Sequence, residues 1–220
     1  MYKYEMHLHT RAVSPCGQVG VKEAVDMYEK SGFAGFVVTD HFKADIFPEG
    51  NSLNWEEKVA YFLTGYRKAR EYAADLDFTV FLGMEISFNG DGRDYLVYGI
   101  DEDFLLENEN IYETNLQEFR RIIDQDKREI YLLQAHPFRD TPGDTDCLDG
   151  LEVYNGNPRH DSNNDQAVRL AEEENLGKIS GSDFHQKEDL ARGGIETSIK
   201  LENNADLLKL LWEKSYTLLN

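Results

Sequence analysis

The chain has 220 residues, 40% of them hydrophobic and 12% aromatic, which suits one folded domain with a substantial core. With 42 acidic residues against 23 basic ones, its net charge is −19, so its surface repels phosphate backbones and we expect no stable nucleic-acid binding. Cys16 and Cys147 provide no disulfide framework and favour a reducing, cytoplasmic location. We find neither a leader-like N-terminus nor an apolar stretch long enough to cross a membrane, so we expect no membrane partner.

The first predicted element is an alternating strand that begins at Tyr2 and ends on His7-Leu8-His9. Residues two apart on a strand point to the same face, so the two imidazoles project together and can chelate one metal ion. Alone, the pair is equally consistent with two partly exposed histidines on an edge strand. A helix follows over 19–31, where Val21, Ala24, Val25 and Tyr28 form one stripe.

Apolar runs of strand length then recur, and polar residues follow most of them. Strands are predicted over 33–39, 78–84, 95–99, 129–135, 150–155, 178–181 and 195–201, and helices over 55–74, 116–126, 165–175 and 205–215. A loop contains Pro48, Gly50 and Asn51. Asn89-Gly90-Asp91-Gly92 predicts a hairpin turn, which makes the 95–99 strand an antiparallel excursion packed beside the main sheet.

The alternation of strands and helices predicts a parallel sheet in a single domain. About seven strands, most with ligand-type side chains at their carboxyl ends, favour a barrel whose loops converge on one mouth. A doubly wound open sheet is the alternative, although it would gather functional groups at one switch point. Of the six histidines, all but His160 lie at predicted strand ends, and Glu85 and Asp183 occupy equivalent positions. Such a set is typical of a metal centre.

These motifs resemble those of the PHP (polymerase and histidinol phosphatase) family. The matching segments are His7-Leu8-His9, Thr39-Asp40-His41, Gly83-Met84-Glu85, Ala135-His136-Pro137 and Gly181-Ser182-Asp183-Phe184-His185. They occur in the family's order and cover essentially the whole chain, residues 1–220. The resemblance implies a distorted (β/α)7 TIM-like barrel with roughly two or three divalent ions, zinc, manganese or iron. It also implies phosphoester hydrolysis on a small phosphorylated metabolite, either a nucleotide or a monoester such as histidinol phosphate.

The resemblance assigns roles to individual residues. His7 and His9 bind a first ion together with Asp183. Glu85 bridges the first and second ions, and His136 binds the second.

His41 and His185 bind the third ion in the same scheme. Asp40 precedes a ligand histidine, and it either orients that ligand and helps to move protons or caps the turn after its strand. The number of ions stays open, because two positions depart from the family pattern.

The first departure is the run Val13-Ser14-Pro15-Cys16-Gly17, where the family usually supplies another Asp or His near Ser14. Cys16 is either a substitute soft ligand or a small thiol in a turn. The second is Gly92-Arg93-Asp94-Tyr95, where the family often carries a ligand histidine. Tyr95 is a poor ligand, because its phenol must first lose a proton with a pKa of about 10.

Arg139 is the candidate for phosphate recognition, because a guanidinium pairs bidentately with phosphate oxygens. The alternative is a surface salt bridge to Asp140 or Asp144. Glu152 and Asn155 end a strand and are expected to support the mouth by hydrogen bonds. The loops over 42–54 and 140–149 are expected to set substrate specificity.

Two other functions stay open as alternatives. Amidohydrolase-type barrels also begin with His-x-His and carry a late Asp, although Thr39-Asp40-His41 fits them poorly. A degenerate PHP scaffold without catalysis is the non-enzymatic alternative.

Overall fold

The computed structural model describes residues 1–47 and 52–220, so the loop predicted at Pro48, Gly50 and Asn51 lies outside the described residues. Its strands are β1 (Tyr2–Leu8), β2 (Gly35–Val38), β3 (His41–Phe42), β4 (Thr79–Ser87), β5 (Asp94–Tyr98), β6 (Tyr131–Gln134), β7 (Gly150–Asn155), β8 (Gly177–Gly181), β9 (Gly194–Thr197) and β10 (Thr217–Leu219). Its helices are α1 (Val21–Lys30), α2 (Trp55–Phe62), α3 (Thr64–Ala73), α4 (Glu102–Glu107), α5 (Leu116–Gln125), α6 (Asn164–Glu173) and α7 (Asn204–Glu213).

The strands form one nearly closed sheet in the order β10-β9-β1-β2-β4-β5-β6-β7-β8, with β3 paired to β4. β1, β2 and β4 pair in parallel, as do β6, β7 and β8. The sheet closes where the chain just after β8 meets the end of β1: Leu8 bridges Phe184, and the His9 amide donates to the Phe184 carbonyl at 2.9 Å. The prediction of a distorted (β/α)7 TIM-like barrel in a single domain is confirmed, and the open doubly wound sheet is excluded.

The sheet is mixed rather than parallel throughout. β5 does not pack beside the sheet but lies within it, antiparallel to both β4 and β6. The predicted Asn89–Gly92 turn does reverse the chain, and Tyr95 to Tyr98 are fully buried, as a central strand requires. The strand predicted over 195–201 is β9, which pairs antiparallel with β1 and with the short β10. β10 escaped prediction because a run of this length gives no readable alternation.

The helices cover the outside of the barrel. α1 buries the predicted stripe of Val21, Ala24, Val25 and Tyr28. The single helix predicted over 55–74 is divided into α2 and α3. Gly65 in α3 allows a close approach, since a Cβ there would lie 2.4 Å from Thr10 Oγ1. No helix among the described residues is both long enough and apolar enough to cross a membrane.

β1 contains a bulge between Glu5 and Leu8, a stretch that includes His7. Glu5 pairs with Phe36 and Leu8 with Val38, so β1 has one more residue than β2 between these pairs. The buried Glu5 carboxylate satisfies the bulge, because its Oε1 accepts the amides of Met6 and His7, each at 2.9 Å. The extra residue shifts the alternation of side chains and sends His7 toward the barrel mouth.

The barrel interior is filled by side chains and is not a pore. Tyr4, Met6, Val37 and Tyr98 are fully buried, and the Tyr98 hydroxyl donates to the Met6 carbonyl at 3.0 Å. This packed layer forms the floor on which the polar groups of the mouth rest.

Candidate metal centre

His7 is fully buried and has one defined tautomer. Its Nδ1 lies 2.9 Å from Glu152 Oε1, and because a carboxylate only accepts, we assign the proton to Nδ1 and the lone pair to Nε2. Glu152 Oε2 in turn accepts the His136 amide and Asn155 Nδ2, each at 2.9 Å. The expectation that Glu152 and Asn155 support the mouth by hydrogen bonds is therefore confirmed.

His9 is fixed in the same sense by Ser14. The Ser14 hydroxyl donates to Asp40 Oδ1 at 2.7 Å and accepts the His41 amide at 3.0 Å. The other lone pair of Ser14 Oγ faces His9 Nδ1 at 3.3 Å, so the proton again lies on Nδ1. Ser14 is thus buried behind His9 and orients its ring. Burial raises the pKa of Asp40 to about 6, and Asp40 also accepts the Thr10 amide at 2.6 Å.

The free nitrogens of the two histidines face each other. His7 Nε2 and His9 Nε2 are 3.0 Å apart, and with both protons on Nδ1 each nitrogen presents a lone pair to the other. Two facing lone pairs repel unless a cation or a proton lies between them. The pair has the donor arrangement of a metal chelate.

Glu85, near the end of β4, is the centre of the cluster and is 1% exposed. Its carboxylate oxygens lie 3.2 Å from His7 Nε2, 3.3 Å from His9 Nε2, 3.3 Å from His136 Nε2 and 2.8 Å from His41 Nδ1. None of these approaches has hydrogen-bond geometry, and within residues 1–47 and 52–220 neither oxygen has a hydrogen-bond partner. A buried carboxylate that lies among nitrogens without a hydrogen bond suits a bound cation.

The separations also fit a divalent ion. Metal–ligand bonds of about 2.0–2.2 Å place neighbouring ligand atoms roughly 3.0–3.5 Å apart. Asp183 Oδ1 lies 3.5 Å from the Nε2 atoms of both His7 and His9, which completes such a group. We call His7, His9, Glu85 and Asp183 the inner set.

Asp183 is held from outside by Arg139. The Arg139 Nη1 lies 2.8 Å from Asp183 Oδ2, while Nη2 donates to Asn155 Oδ1 at 2.6 Å and Nε to Ser162 Oγ at 3.0 Å. The ion-pair partner of Arg139 is therefore Asp183, which the sequence did not suggest. Arg139 fixes one oxygen of Asp183 and leaves the other directed at the histidines.

A second group lies nearer the opening and consists of Cys16, His41 and His185, which we call the outer set. One ligand atom of each, together with one of His9, lies within 4.8 Å of all the others. His185 Nδ1 is 2.9 Å from the Asp183 carbonyl, which only accepts, so its Nε2 carries the lone pair. Burial raises the pKa of the Cys16 thiol, but His185 and His41 outweigh this effect and lower it to about 6.

Asp94 is a possible ligand that sequence reasoning missed. One ligand atom each of Asp94, His41 and Glu85 lies within 4.8 Å of the others, and Asp94 Oδ2 is 3.9 Å from His136 Nε2. The sequence comparison considered Tyr95, but strand alternation turns Tyr95 to the opposite face, where it is fully buried. The carboxylate of Asp94, the residue before Tyr95, therefore lies at the mouth instead.

The charges of the inner set depend on one another. Burial raises the pKa values of Glu85 and Asp183, but the surrounding imidazoles outweigh burial and hold both well below their usual range. Burial lowers the pKa of His7, yet Glu152 and the two other carboxylates hold it well above its usual value. Burial, with His185 and His41 nearby, lowers the pKa of His9. The carboxylates are thus anionic at neutral pH and suit a cation.

Two of the ligand positions have unusual backbone conformations. His136 has a φ of 29° and Asp183 a φ of 50°, both in the left-handed region that favours glycine. Such strain costs about 1–3 kcal/mol per residue and persists where the surroundings enforce it. Here the His136 amide is held by Glu152, and the Asp183 carbonyl accepts Asn157 Nδ2 at 3.2 Å.

The structure brings all the predicted metal ligands to one mouth: His7, His9, His41, Glu85, His136, Asp183 and His185. Asp40 lies behind the cluster, in contact with Thr10 and Ser14. His160, which no motif accompanies, is exposed on the rim.

The cluster opens into a cleft of about 590 Å³. Basic side chains from several loops line it, namely Arg93, Arg139, Arg159 and His160. Arg159 is anchored by the buried Asp189, whose Oδ2 lies 2.9 Å from its Nη2. Of these basic residues, only Arg139 was predicted to line the site.

Solved structures share this fold. A two-domain protein from Bacteroides vulgatus ATCC 8482, described as containing a predicted PHP-like metal-dependent phosphoesterase, has a TM-score of 0.70 and 17% identity over 99% of this chain and 64% of that one. PsfC from Pseudomonas syringae PB-5123 has a TM-score of 0.70 and 17% identity over 94% of this chain and 88% of that one. An amidohydrolase from Chromobacterium violaceum with bound sulfate and no metal has a TM-score of 0.57 and 16% identity over 97% of each chain.

No family model matches the chain, and no curated protein matches it. The chain spans only 64% of the length of the two-domain Bacteroides protein. At such identities the likeness shows the fold alone. The chain therefore has the barrel fold of PHP-like metal-dependent phosphoesterases, with groups at the barrel mouth that can hold metal ions.

Proposed function

We propose that residues 1–220 form one catalytic domain, a metal-dependent phosphoesterase that acts on a small phosphorylated metabolite. The observation that carries this proposal is the buried Glu85 carboxylate, which faces histidine nitrogens without a hydrogen-bond partner among the described residues. The histidine nitrogens around it are held in orientations that suit a bound cation. The substrate is a nucleotide or a monoester such as histidinol phosphate, and the ions are roughly two or three of zinc, manganese or iron.

The protein's own part in the reaction is to hold ligands in one orientation. Bound divalent ions supply an activated water and neutralise the charge that develops on phosphoryl oxygens. Glu152 and Ser14 hold the Nδ1 atoms of His7 and His9 and so direct both Nε2 atoms at the centre. Asp40 acts through Ser14 and holds the loop after β1, which makes it a positioning residue.

The cleft supports an anionic substrate. The protein as a whole carries a charge of −19, but bound cations reverse the local potential. Arg139 lines the cleft beside Asp183, and its contacts leave guanidinium N–H groups for a phosphate oxygen. The same acidic surface disfavours nucleic-acid polymers as partners, and two free cysteines suit a cytoplasmic location.

A second candidate function is amide hydrolysis of the amidohydrolase type. The fold likeness to the Chromobacterium amidohydrolase favours it, although that protein carries sulfate, a tetrahedral anion like phosphate. The two functions differ in their product, since only a phosphoesterase releases inorganic phosphate.

The test is metal content followed by product release. Protein purified without chelator is analysed for zinc, manganese and iron, reloaded with each, and assayed for phosphate release from nucleotides and phosphate monoesters. Glu85→Gln removes the central charge with little change of shape and should lower kcat/KM by at least about 10²-fold. Glu174→Gln, the same change at an exposed position that follows α6, is the matched control and should keep wild-type activity.

The outcomes separate the alternatives. Phosphate release that needs metal and Glu85 supports the proposal. Release of amine or ammonia from amides without phosphate release favours the amidohydrolase. If the chain binds no metal even after reloading, both enzymatic functions are overturned. The non-catalytic scaffold is then favoured.

A further inference from the structure

Cys16 lies at the open side of the cluster and lines the cleft. Its ligand atom, with one each of His9, His41 and His185, forms a group within 4.8 Å. The other cysteine, Cys147, lies outside the mouth, and its Sγ is 3.8 Å from Asp144 Oδ2. Position therefore distinguishes the two thiols.

His9 cannot serve both sets with one nitrogen. Its Nδ1 faces Ser14, and its Nε2 lies 3.0 Å from His7 Nε2 and 3.5 Å from Asp183 Oδ1, within the inner set. An imidazole nitrogen has a single lone pair, so His9 is committed to the inner set. The outer set then consists of Cys16, His41 and His185.

Contacts with the inner set orient both histidines of the outer set. The buried Nδ1 atom of His41 has no hydrogen-bond partner among the residues that the structure describes. It lies 2.8 Å from Glu85 Oε2, itself an unpaired buried atom, so His41 stands between the inner set and Cys16. His185 donates from Nδ1 to the Asp183 carbonyl, which frees its Nε2. Cys16 Sγ thus lies within 4.8 Å of one ring nitrogen of each of these two histidines.

We propose that the thiolate of Cys16 is a metal ligand and forms, with His41 and His185, an outer site for a thiophilic divalent ion. The inference rests on the proposed metal centre and names the class of ion at one of its sites. Three protein ligands leave a coordination position open to water or substrate, as in catalytic zinc sites. The thiol gives up its proton to solvent when the ion binds.

The thiolate determines which ions the outer site accepts. Sulfur selects zinc, cobalt(II) or iron(II) over manganese and magnesium, which prefer oxygen ligands. We therefore expect a mixed centre, in which the outer site discriminates more strongly against manganese than the inner set does. Ser14, buried behind His9, makes no such contribution.

Cobalt(II) is the probe, because a thiolate bound to cobalt gives a charge-transfer band in the near ultraviolet that nitrogen and oxygen ligands do not give. The full chain is titrated with cobalt(II) and bound cobalt is counted per chain. The band should appear in the wild type, persist in Cys147→Ser and disappear in Cys16→Ser. Cys16→Ser should keep the visible cobalt bands of the inner set while it loses the ion of the outer site.

A second measurement uses the wild type and so does not depend on the folding of a variant. Cysteine alkylation is mapped by mass spectrometry with and without bound zinc. Zinc should protect Cys16 at least about tenfold and chelation should restore its reactivity, whereas Cys147 reacts equally in both states.

A loaded wild type without the charge-transfer band, a band that survives in Cys16→Ser, or equal alkylation of Cys16 with and without zinc overturns the inference. These results are independent of phosphate release. Metal-dependent phosphate release without the band leaves the proposed function standing and refutes the thiolate. A band without phosphate release supports the thiolate ligand and refutes the proposed phosphoesterase.

Discussion

The inner and outer sets contain similar ligand-type side chains but differ in how firmly the protein holds them. The side chains of His7, Glu85 and Asp183 are 0%, 1% and 2% exposed, whereas those of His41 and His185 are 16% and 15% exposed. Buried ligands in fixed tautomers lose little freedom on binding an ion. The inner set should therefore bind tightly and the outer set exchange its ion readily.

The difference lies in the surrounding residues. Three of the four inner residues have a dedicated partner outside the set, namely Glu152 for His7, Ser14 for His9 and Arg139 for Asp183. Partners of this kind orient ligands and raise their affinity for metal. The outer ligands sit closer to the surface, and Cys16 itself is exposed.

Metal removal should give the largest effect. An ion at about 100 times its Kd stabilises the folded state by about 2.7 kcal/mol, which for a chain of this size raises Tm by roughly 5–11 °C. We expect thermal melts of loaded and chelated protein to differ by this amount. Cys16→Ser should retain most of the shift and Glu85→Gln little of it. Equal losses in the two variants would contradict the contrast between the sets.

Glu152→Gln should have the next largest effect. One Glu152 oxygen faces His7 Nδ1 and the other accepts the His136 amide. The substitution removes the negative charge that holds the His7 proton on Nδ1. We expect inner-set affinity to fall about 10–100-fold in competition titrations with a chelating dye. Glu174→Gln is again the control and should titrate like the wild type. Unchanged affinity in Glu152→Gln would show that burial alone orients His7.

Arg139→Lys should have the smallest effect and tests the two roles of this side chain. A lysine keeps the charge but cannot contact Asp183, Asn155 and Ser162 together. We expect a loss of metal affinity of no more than about tenfold, with a rise in KM for the phosphorylated substrate. Arg93→Lys, on the same cleft, should leave metal affinity unchanged. A lower kcat with unchanged KM would limit Arg139 to holding Asp183.

The sequence predicted which side chains meet at the mouth better than it predicted the framework that orients them. Strand ends such as His7-Leu8-His9 and Thr39-Asp40-His41 carry their signal in a few adjacent residues, so their convergence followed from the barrel fold. The place of β5 inside the sheet and the antiparallel β9 and β10 depend on distant pairing. Local patterns contain no information about such partners.

The same distinction explains which site residues were missed. The Glu5 carboxylate that supports the β1 bulge works through amides from both ends of the chain, including that of Ser182 at 2.9 Å. The sequence gives no signal for Asp94, because its neighbour Tyr95 occupies the position of the family's ligand histidine. In the sequence, Ser14 stands near a position where the family usually has a ligand Asp or His. Only its contacts with Asp40 and His9 reveal its supporting role.

The left-handed backbone at His136 and Asp183 has a consequence for laboratory evolution. Glycine would relax either position, yet it would delete a side chain of the cluster. Selection for heat resistance alone, in medium that lacks metal, should therefore enrich glycine at 136 and 183 and erase the centre. Selection with metal present should preserve both residues, because the bound ion stabilises the folded state by more than the strained backbone destabilises it.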